Sequence, residues 1–596
     1  MAKTALTTTN TSISALTIKL FNSAVPDNAK TDFAGVNKEA VKLGYLVHSA
    51  LCNAVILDYL KSQAVDYSST FYKKWSSVIS KSRFELFEDQ LMHYASTYGT
   101  NFTGEPYIPT EIADVPAFTT FKVISPITKS DLIVRCEKML CSGIALKQET
   151  IEDILTILNW LNHRTDINKV KNKEAKMFLH KTTATLPKEA VELVRFLVYL
   201  CTDKTLLIKD KATIGKIKLS GLDVSTFIIV FGVEDLASVF YRFKPLFLAF
   251  KSANKSNIKI INKLRKLAVK FHEPMEVGFF ESLLTNQRPL SDVNKELLKI
   301  TNFKKILLLQ TINIRLKELE INAYLVRNQK LYIKVQKNTH NESYLKSVYW
   351  LIYNDLVKSL SKKACSVTLP KGVNLTLPTS EKSFIGNYPL GTSFDLADQD
   401  AIVGINWKGK DGARDLDLSL MSIDGQKYGW DSAYKNANSS IVYSGDMTSA
   451  EPEATELFYT SNNFGPCIVK VNLYYGQPNS KFKFFLAKEK IINISRNYMV
   501  DPNNVLVMVD CEMDSKEKSL GVITNNKFIL AQFRTGKGRV STNNVTDLYT
   551  EYALSTLDCY LPLDILLLDA GFDIVQENAD IDLTNLSKDS LMNLLN

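Results

Sequence analysis

The spacing of apolar residues changes near Lys363, and this change constrains the fold more than any other feature. Between residues 38 and 362 apolar residues recur mainly at helical spacing, whereas from Ser366 the spacing shortens towards two and turn residues multiply. A helix repeats every 3.6 residues and a strand every two. The sequence therefore predicts a multidomain α + β protein, with a mainly α-helical N-terminal region followed by a β-sandwich.

The chain is too long for one core, because single cores stop growing at roughly 250–300 residues. Its 596 residues predict several segments with different character. These are a flexible or poorly ordered N-terminus at 1–37, a basic and mainly helical region at 38–362 with a break between two subdomains near 110–150, a sandwich at 366–545, and an acidic helical tail at 546–596.

Individual elements follow from the same patterns. Helices are predicted at Glu39–Leu60, Phe84–Tyr98, Ile151–Leu161, Val191–Leu200, Val233–Phe250, Asn254–Phe271 and Tyr344–Leu360, with a hairpin at Asn322–Val335. Strands are predicted at Ile468–Tyr475, Lys481–Leu486, Val505–Val509, Leu520–Thr524 and Lys527–Phe533.

Charge is distributed unevenly along the chain. Residues 1–370 hold 52 Lys and Arg against 34 Asp and Glu, while the remainder holds 20 against 29. Opposed charge in the two halves indicates modules with different partners. Protein partners or self-assembly are therefore expected, with RNA as an alternative partner of the basic half.

Cysteine usage indicates a reducing compartment. The eight cysteines form no Cys-x-x-Cys pair, and most lie in apolar runs such as Leu51-Cys52. The most apolar stretch, Ser225–Phe250, is interrupted by charged residues and makes a poor membrane span. We expect a cytoplasmic protein without a membrane span.

The segment from Trp407 to Glu456 is rich in carboxylates. Asp415 and Asp417 lie two residues apart, so a strand would place them on one face and Leu416 and Leu418 on the other. Clustered carboxylates repel one another unless a cation lies between them. Calcium accepts six to eight oxygen ligands in flexible geometry, whereas magnesium requires a stricter octahedron. The pattern therefore favours a calcium site.

This region resembles the TerD family of tellurium-resistance and stress domains. The resemblance covers roughly residues 366–540 and depends on landmarks that occur in the family's order. The landmarks are Val367–Leu377, Trp407, Asp415-Leu416-Asp417, Ser444-Gly445-Asp446, an acidic loop, Val471–Tyr474 and Gly521–Ile523.

The resemblance implies a TerD-like β-sandwich that binds one calcium ion or two. It makes Asp415, Asp417 and Asp446 the expected ligands, together with one or more of three glutamates in the following loop and strand: Glu451, Glu453 and Glu456. The family's glycine-rich, densely acidic loop is replaced here by Met447–Glu453. Fewer carboxylates imply weaker binding, a single ion, or none.

A second feature is a stripe of lysines in the predicted helix Asn254–Phe271. At about 100° per residue the lysines fall within one arc, opposite Ile260, Leu264 and Leu267. They are Lys255, Lys259, Lys263, Lys266 and Lys270. The stripe is either a solvated face or a track for RNA phosphates or an acidic protein surface. No sequence-reading motif accompanies it.

No catalytic residue set emerges. The six histidines are dispersed, and the chain contains no Gly-x-x-x-x-Gly-Lys-Ser/Thr phosphate loop. The sequence therefore predicts a non-enzymatic, calcium-binding, TerD-like interaction or stress-associated protein with a helical scaffold. Two alternatives stay open: an RNA-binding protein with a basic helical surface, and a structural assembly subunit with a metal-free sandwich.

Overall fold

A computed structural model describes most of the chain. The described residues are 10–26, 32–65, 82, 84–85, 88, 121–275, 277–285, 288–317, 321–326, 330–335, 341–396, 400–422, 425–450, 453–461, 464–489, 500, 504–524, 526–532 and 555–596. Helices dominate the N-terminal half and strands the C-terminal half, so the fold is mixed α and β. No helix within these ranges is long and apolar enough to cross a membrane.

The helices and strands are numbered here in chain order. The helices are α1 Asn10–Phe21, α2 Phe33–Lys42, α3 Ala54–Ser62, α4 Lys129–Cys141, α5 Gln148–Trp160, α6 Lys173–Thr182, α7 Ala190–Thr202, α8 Lys211–Leu219, α9 Ser225–Phe231, α10 Val233–Ala237, α11 Lys244–Ala253, α12 Asn257–Phe271, α13 Phe279–Leu284, α14 Leu290–Leu297, α15 Asn302–Leu316, α16 Glu342–Leu360, α17 Leu563–Asp569 and α18 Ser590–Leu595.

The strands are β1 Ser23–Ala24, β2 Tyr45–Val47, β3 Lys122–Pro126, β4 Ile321–Val326, β5 Lys330–Val335, β6 Ser366–Thr368, β7 Val373–Asn374, β8 Phe384–Ile385, β9 Tyr388–Pro389, β10 Ser393–Asp395, β11 Asp400–Lys408, β12 Ala413–Ser422, β13 Lys427–Tyr428, β14 Ile441–Tyr443, β15 Glu453–Thr460, β16 Cys467–Gly476, β17 Ser480–Glu489, β18 Val505–Met513, β19 Glu517–Ile523, β20 Lys527–Leu530, β21 Asp573–Ile574 and β22 Ile581–Asp582.

The chain divides into two compact units. The first unit joins residues 1–129 to residues 293–595, and the second unit consists of residues 130–292. These limits differ from the boundary expected at 362–366. The first unit thus combines chain segments that are far apart in sequence.

Residues 10–26 of the N-terminal segment contain a helix and a short strand, whereas the polar composition suggested poor order. Helix α1 buries Ile18 against a small parallel sheet of order β1-β3-β2. The single helix predicted over Glu39–Leu60 is wrong, because β2 lies between α2 and α3. Gly44, with φ of +82°, ends the first helix, and the Asn53 side chain accepts from the Ile56 N–H to start the second.

The second unit is a helical domain with its own apolar core. Helices α7 and α8 and the helices from α9 to α12 contribute to this core, which includes Phe240, Phe247 and Leu264. Helix α12 presents Ile260, Leu264 and Ala268 to it. The apolar side of the lysine-bearing helix is therefore buried.

Two antiparallel sheets in the first unit face each other across one large core. The strand orders are β13-β12-β16-β19-β20-β10-β7 and β14-β15-β11-β17-β18. Trp407 and Phe484 from one sheet and Leu418 from the other are at most 1% exposed in this core. The strands predicted between 468 and 530 and the hairpin at 322–335 are present. The C-terminal domain is a β-sandwich.

The strand expected to open the sandwich has another partner. Strand β6 pairs in parallel with β21 and β22 from the C-terminal tail, while β7 forms one edge of the larger sheet. The tail, which was predicted to be helical, contains these two strands as well as α17 and α18. Within the described part, the Thr368 region and the tail therefore fold together.

Candidate metal centre

Strand β12 places two carboxylates on the face opposite the sandwich core. Leu416 and Leu418 pack into the core, while Asp415 and Asp417 project from the other side and are each 2% exposed. The register with β16 is interrupted on both sides of Asp415, and Asp417 lies opposite Asn472. An irregularity of this kind can redirect a side chain without ending the strand.

The third carboxylate comes from the segment after β14. Gly445 adopts φ of +110°, a conformation that favours glycine, and Asp446 follows it with 1% exposure. Ser444 anchors this segment to β15, because its N–H donates to the Leu457 carbonyl at 2.9 Å and its hydroxyl accepts from the Leu457 N–H at 3.0 Å. The turn is thereby fixed beside β15.

Asp415, Asp417 and Asp446 form one cluster. Each offers a carboxylate oxygen within 4.8 Å of the oxygens from the other two, and all three side chains are buried. Oδ2 of Asp417 is fully shielded from solvent and has no hydrogen-bond partner among the described residues. A buried carboxylate oxygen without a partner is costly, and a bound cation would satisfy it. This cluster can hold a metal ion.

Glu456 connects the two parts of the cluster from the opposite sheet. Its Oε2 accepts from the Leu418 N–H at 2.7 Å, and its Oε1 accepts from the Met447 N–H at 2.9 Å. Glu456 is 0% exposed. Both oxygens are therefore engaged by backbone donors on the segments that carry Asp417 and Asp446, which suits a positioning residue better than a ligand.

The electrostatics of the cluster are strongly unfavourable to four negative charges. Burial, followed by the neighbouring Asp415 and Asp446 carboxylates, raises the pKa of Asp417 well above its usual value. Burial and the charges of Asp446 and Asp417 likewise raise the pKa of Glu456 well above normal. Without a cation, burial and mutual repulsion therefore favour the neutral forms of Asp417 and Glu456.

Two charged residues near the cluster were missed by the sequence reasoning. Lys427 lies on β13, next to β12, and its Nζ contacts Asp431 Oδ2 at 2.6 Å. The Lys427 charge lowers the pKa of Asp417 and the Asp431 charge raises it, although burial has the larger effect. The pair follows β12 in sequence by only a few residues, but no motif marks it.

The other predicted ligands lie elsewhere. Glu453 faces Lys408 across β11 and β15, with 3.9 Å between Oε2 and Nζ, and it is not part of the three-carboxylate cluster. Glu451 lies outside the described residues. Within the described residues the turn before the acidic loop thus supplies one cluster member, Asp446, and the positioning residue Glu456 lies on β15.

The predicted lysine stripe lies in the second unit. Helix α12 carries Lys259, Lys263, Lys266 and Lys270, and Lys255 lies in the turn before it. All five side chains are exposed.

All eight cysteines are free of disulfide bonds.

Compared with protein-family models, with curated proteins and with solved structures, the chain gives no match. The resemblance to the TerD family therefore depends on the ordered residues quoted above.

Proposed function

We propose that the C-terminal sandwich is a calcium-binding, non-enzymatic interaction module of the TerD type, carried by a helical scaffold. The observation that carries this proposal is the unpartnered Oδ2 of Asp417 in a buried group of three carboxylates. A divalent cation would coordinate this oxygen, which accepts no hydrogen bond, and would offset the repulsion among the three carboxylates.

Calcium fits the donor set better than other common cations. The cluster offers carboxylate oxygens and no described histidine or cysteine, which are the ligands that zinc prefers. The oxygens come from a strand and from a separate turn, so no single element fixes their arrangement. Calcium tolerates irregular coordination, whereas magnesium demands a near-ideal octahedron and gives up water reluctantly.

The burial of the cluster favours a structural ion over a catalytic one. A catalytic metal keeps a coordination position open to substrate. The three aspartates here are only 1–2% exposed. An ion held at this depth would join the turn at Asp446 to β12, and its role would be to hold these two segments of the module together. The TerD resemblance makes a stress-associated or tellurium-resistance role the corresponding hypothesis.

Direct titration tests the proposal. Purified full-length protein, stripped with a chelator, should bind calcium by isothermal titration calorimetry and should bind magnesium more weakly. Asp417→Asn should abolish most of this binding. Asp411→Asn is the matched control, because Asp411 is an exposed turn residue on the approach to the same strand.

Three results would decide against a calcium module. They are the absence of binding heat with calcium, tighter binding of magnesium than of calcium, and equal losses of calcium affinity in Asp417→Asn and Asp411→Asn. In the first case the sandwich is better described as a metal-free contact domain of an assembly subunit, the structural alternative given above.

A further inference from the structure

We propose that the exposed side of α12 binds single-stranded nucleic acid, with its lysine row on the phosphate backbone. The row consists of Lys255, Lys259, Lys263, Lys266 and Lys270. This surface belongs to the second unit, and the inference is independent of the calcium site.

The spacing of the row suits a polyanion. Successive lysines on α12 are three or four residues apart, which at 1.5 Å per residue separates them by about 4.5–6 Å along the axis and gives a row of about 17 Å from Lys259 to Lys270, with Lys255 in the turn before it. Four like charges along one side of α12 destabilise it slightly. A continuous line of phosphates would relieve that repulsion, whereas a single small anion would reach only part of the row.

The lysines lack local counter-charges. Residues 236–272 contain nine Lys and Arg and no Asp or Glu. Within the described part of the chain, none of the five lysines lies within ion-pair distance of a carboxylate. Helix α8, which packs against α11, adds the exposed Lys216 and Lys218. The positive charge is therefore available to an external partner.

The helix that bears the row is held firmly. Asn257, at its first residue, is buried and accepts from the Val224 N–H at 2.8 Å. Its side-chain amide donates to the carbonyls of Leu222 and Phe250, at 2.9 and 2.8 Å. Because this end is fixed against two neighbouring segments, the lysine row is presented on a rigid element rather than on a loop.

Features suited to bases lie at both ends of the row. At the C-terminal end, Phe271 is 42% exposed and Tyr241 is 40% exposed, and the Tyr241 ring meets that of His272 edge-on at 5.0 Å. At the other end a surface depression of about 470 Å³ is lined by Leu248, Lys251, Ser252, Asn254, Lys255 and Ile258. Aromatic rings beside a cationic track are the usual arrangement for binding single strands.

A membrane surface fits the same helix less well. An interfacial helix inserts its apolar face between lipids. The apolar face of α12, including Ile260, Leu264 and Ala268, is already buried in the core of the second unit. Only electrostatic adsorption to anionic lipid would remain, and that is an outcome that the experiment below can detect.

Fluorescence anisotropy with a labelled polyuridine oligonucleotide and full-length protein tests the proposal. The triple variant Lys259→Gln, Lys263→Gln, Lys266→Gln should reduce the slope of log affinity against log salt by about 2, since each single-strand phosphate contact contributes about 0.7. At about 0.1 M salt this change weakens binding roughly 100-fold relative to the native protein. Phe271→Ala should weaken binding roughly 5- to 160-fold and leave the slope unchanged.

A matched triple variant controls for net charge. Lys169→Gln, Lys171→Gln and Lys188→Gln remove the same charge from exposed positions outside α12, and binding should persist. The α12 variant removes like-charge repulsion, so its thermal midpoint should not fall below that of the native protein.

The proposal is overturned if the native protein does not bind the oligonucleotide, or if the two triple variants lose affinity equally. It is also overturned if the protein binds vesicles of anionic lipid or acidic peptides but not the oligonucleotide. Equal binding of the RNA and of the matching single-stranded DNA would support recognition through the backbone.

Discussion

Replacing Asp417 by asparagine should stabilise the calcium-free protein and remove most of the stabilisation that calcium gives. The substitution keeps the shape of the side chain and removes one charge from a buried cluster whose oxygens lie within 4.8 Å of one another. The new amide can donate to the carboxylates of Asp415 and Asp446, so it does not add an unsatisfied buried donor.

The expected size of the effect in chelator follows from Coulomb's law. At an effective dielectric constant of about 20, two full charges 4.8 Å apart repel by about 3.5 kcal/mol, and Asp417 takes part in two such pairs. Protonation relieves part of this repulsion, because the pKa of Asp417 is already raised. We therefore expect Asp417→Asn to increase the free energy of unfolding in chelator by about 1–3 kcal/mol.

In calcium the native protein should gain about 2.3 kcal/mol relative to the variant, which reverses the order of stability only where the gain of the variant in chelator is smaller than that. At a hundredfold excess over its dissociation constant, calcium stabilises the native protein by about 2.7 kcal/mol. If the variant binds about 100-fold more weakly, the same calcium concentration stabilises it by only about 0.4 kcal/mol. Thermal unfolding in calcium, magnesium and chelator measures both effects, with Asp411→Asn as the control.

One pattern would refute this reasoning. If the native protein melts at the same temperature in calcium and in chelator, and Asp417→Asn lowers that temperature in both, the carboxylate is a structural hydrogen-bonding group. The raised pKa of Asp417 would then reflect a neutral, protonated side chain rather than a metal ligand.

Three further predictions concern the same sandwich. Calcium affinity should fall as the pH is lowered, and the fall should begin well above the ordinary carboxylate pKa of about 4. The pKa values of Asp417 and Glu456 are raised, so protons must leave these groups before the metal binds. Titration calorimetry at several pH values measures this dependence. In chelator the pH dependence of folding stability has the opposite sign to that of calcium affinity. Groups with a raised folded-state pKa stabilise the fold at low pH and lose that contribution as the pH rises through the raised pKa. Glu456→Gln should lower the unfolding free energy in calcium by about 1–3 kcal/mol, because the amide N–H₂ of glutamine would face one of the backbone N–H donors from which the native carboxylate accepts. Glu456→Asp places no donor against a donor. An equal loss in that variant would contradict this reason. Lys470→Met should cost about 3–5 kcal/mol by leaving Glu517 buried without its 2.7 Å partner, whereas adding Glu517→Leu should restore most of the loss in a denaturant-based double-mutant cycle.

Local periodicity was sufficient for the parts of the site that lie on one strand. A strand alternates its side chains, so Asp415 and Asp417 had to share one face and Leu416 and Leu418 the other, as the structure shows. The same reasoning found α12, because its apolar and cationic residues repeat at helical spacing. It failed over Glu39–Leu60, where Gly44 and the capping residue Asn53 divide an apparently continuous pattern.

Pairings between distant segments could not be read from periodicity. The tail strands β21 and β22 pair with β6. On β15, Glu453 faces Lys408 while Glu456 accepts from the backbone N–H groups of Leu418 and Met447. The division of the chain at 129–130 and 292–293 likewise depends on which segments pack together. Such choices are set by competing burial and hydrogen bonding over the whole fold, which no local pattern records.

The sequence by itself therefore determined which side chains could act together within an element: two carboxylates on β12 and a row of lysines on α12. Only the tertiary structure decided that Asp446 joins Asp415 and Asp417, because the approach of the turn depends on Ser444 bonding to Leu457 and on Glu456 reaching across to β12. Local geometry follows from covalent structure and side-chain alternation, whereas proximity between elements is a property of the packed chain.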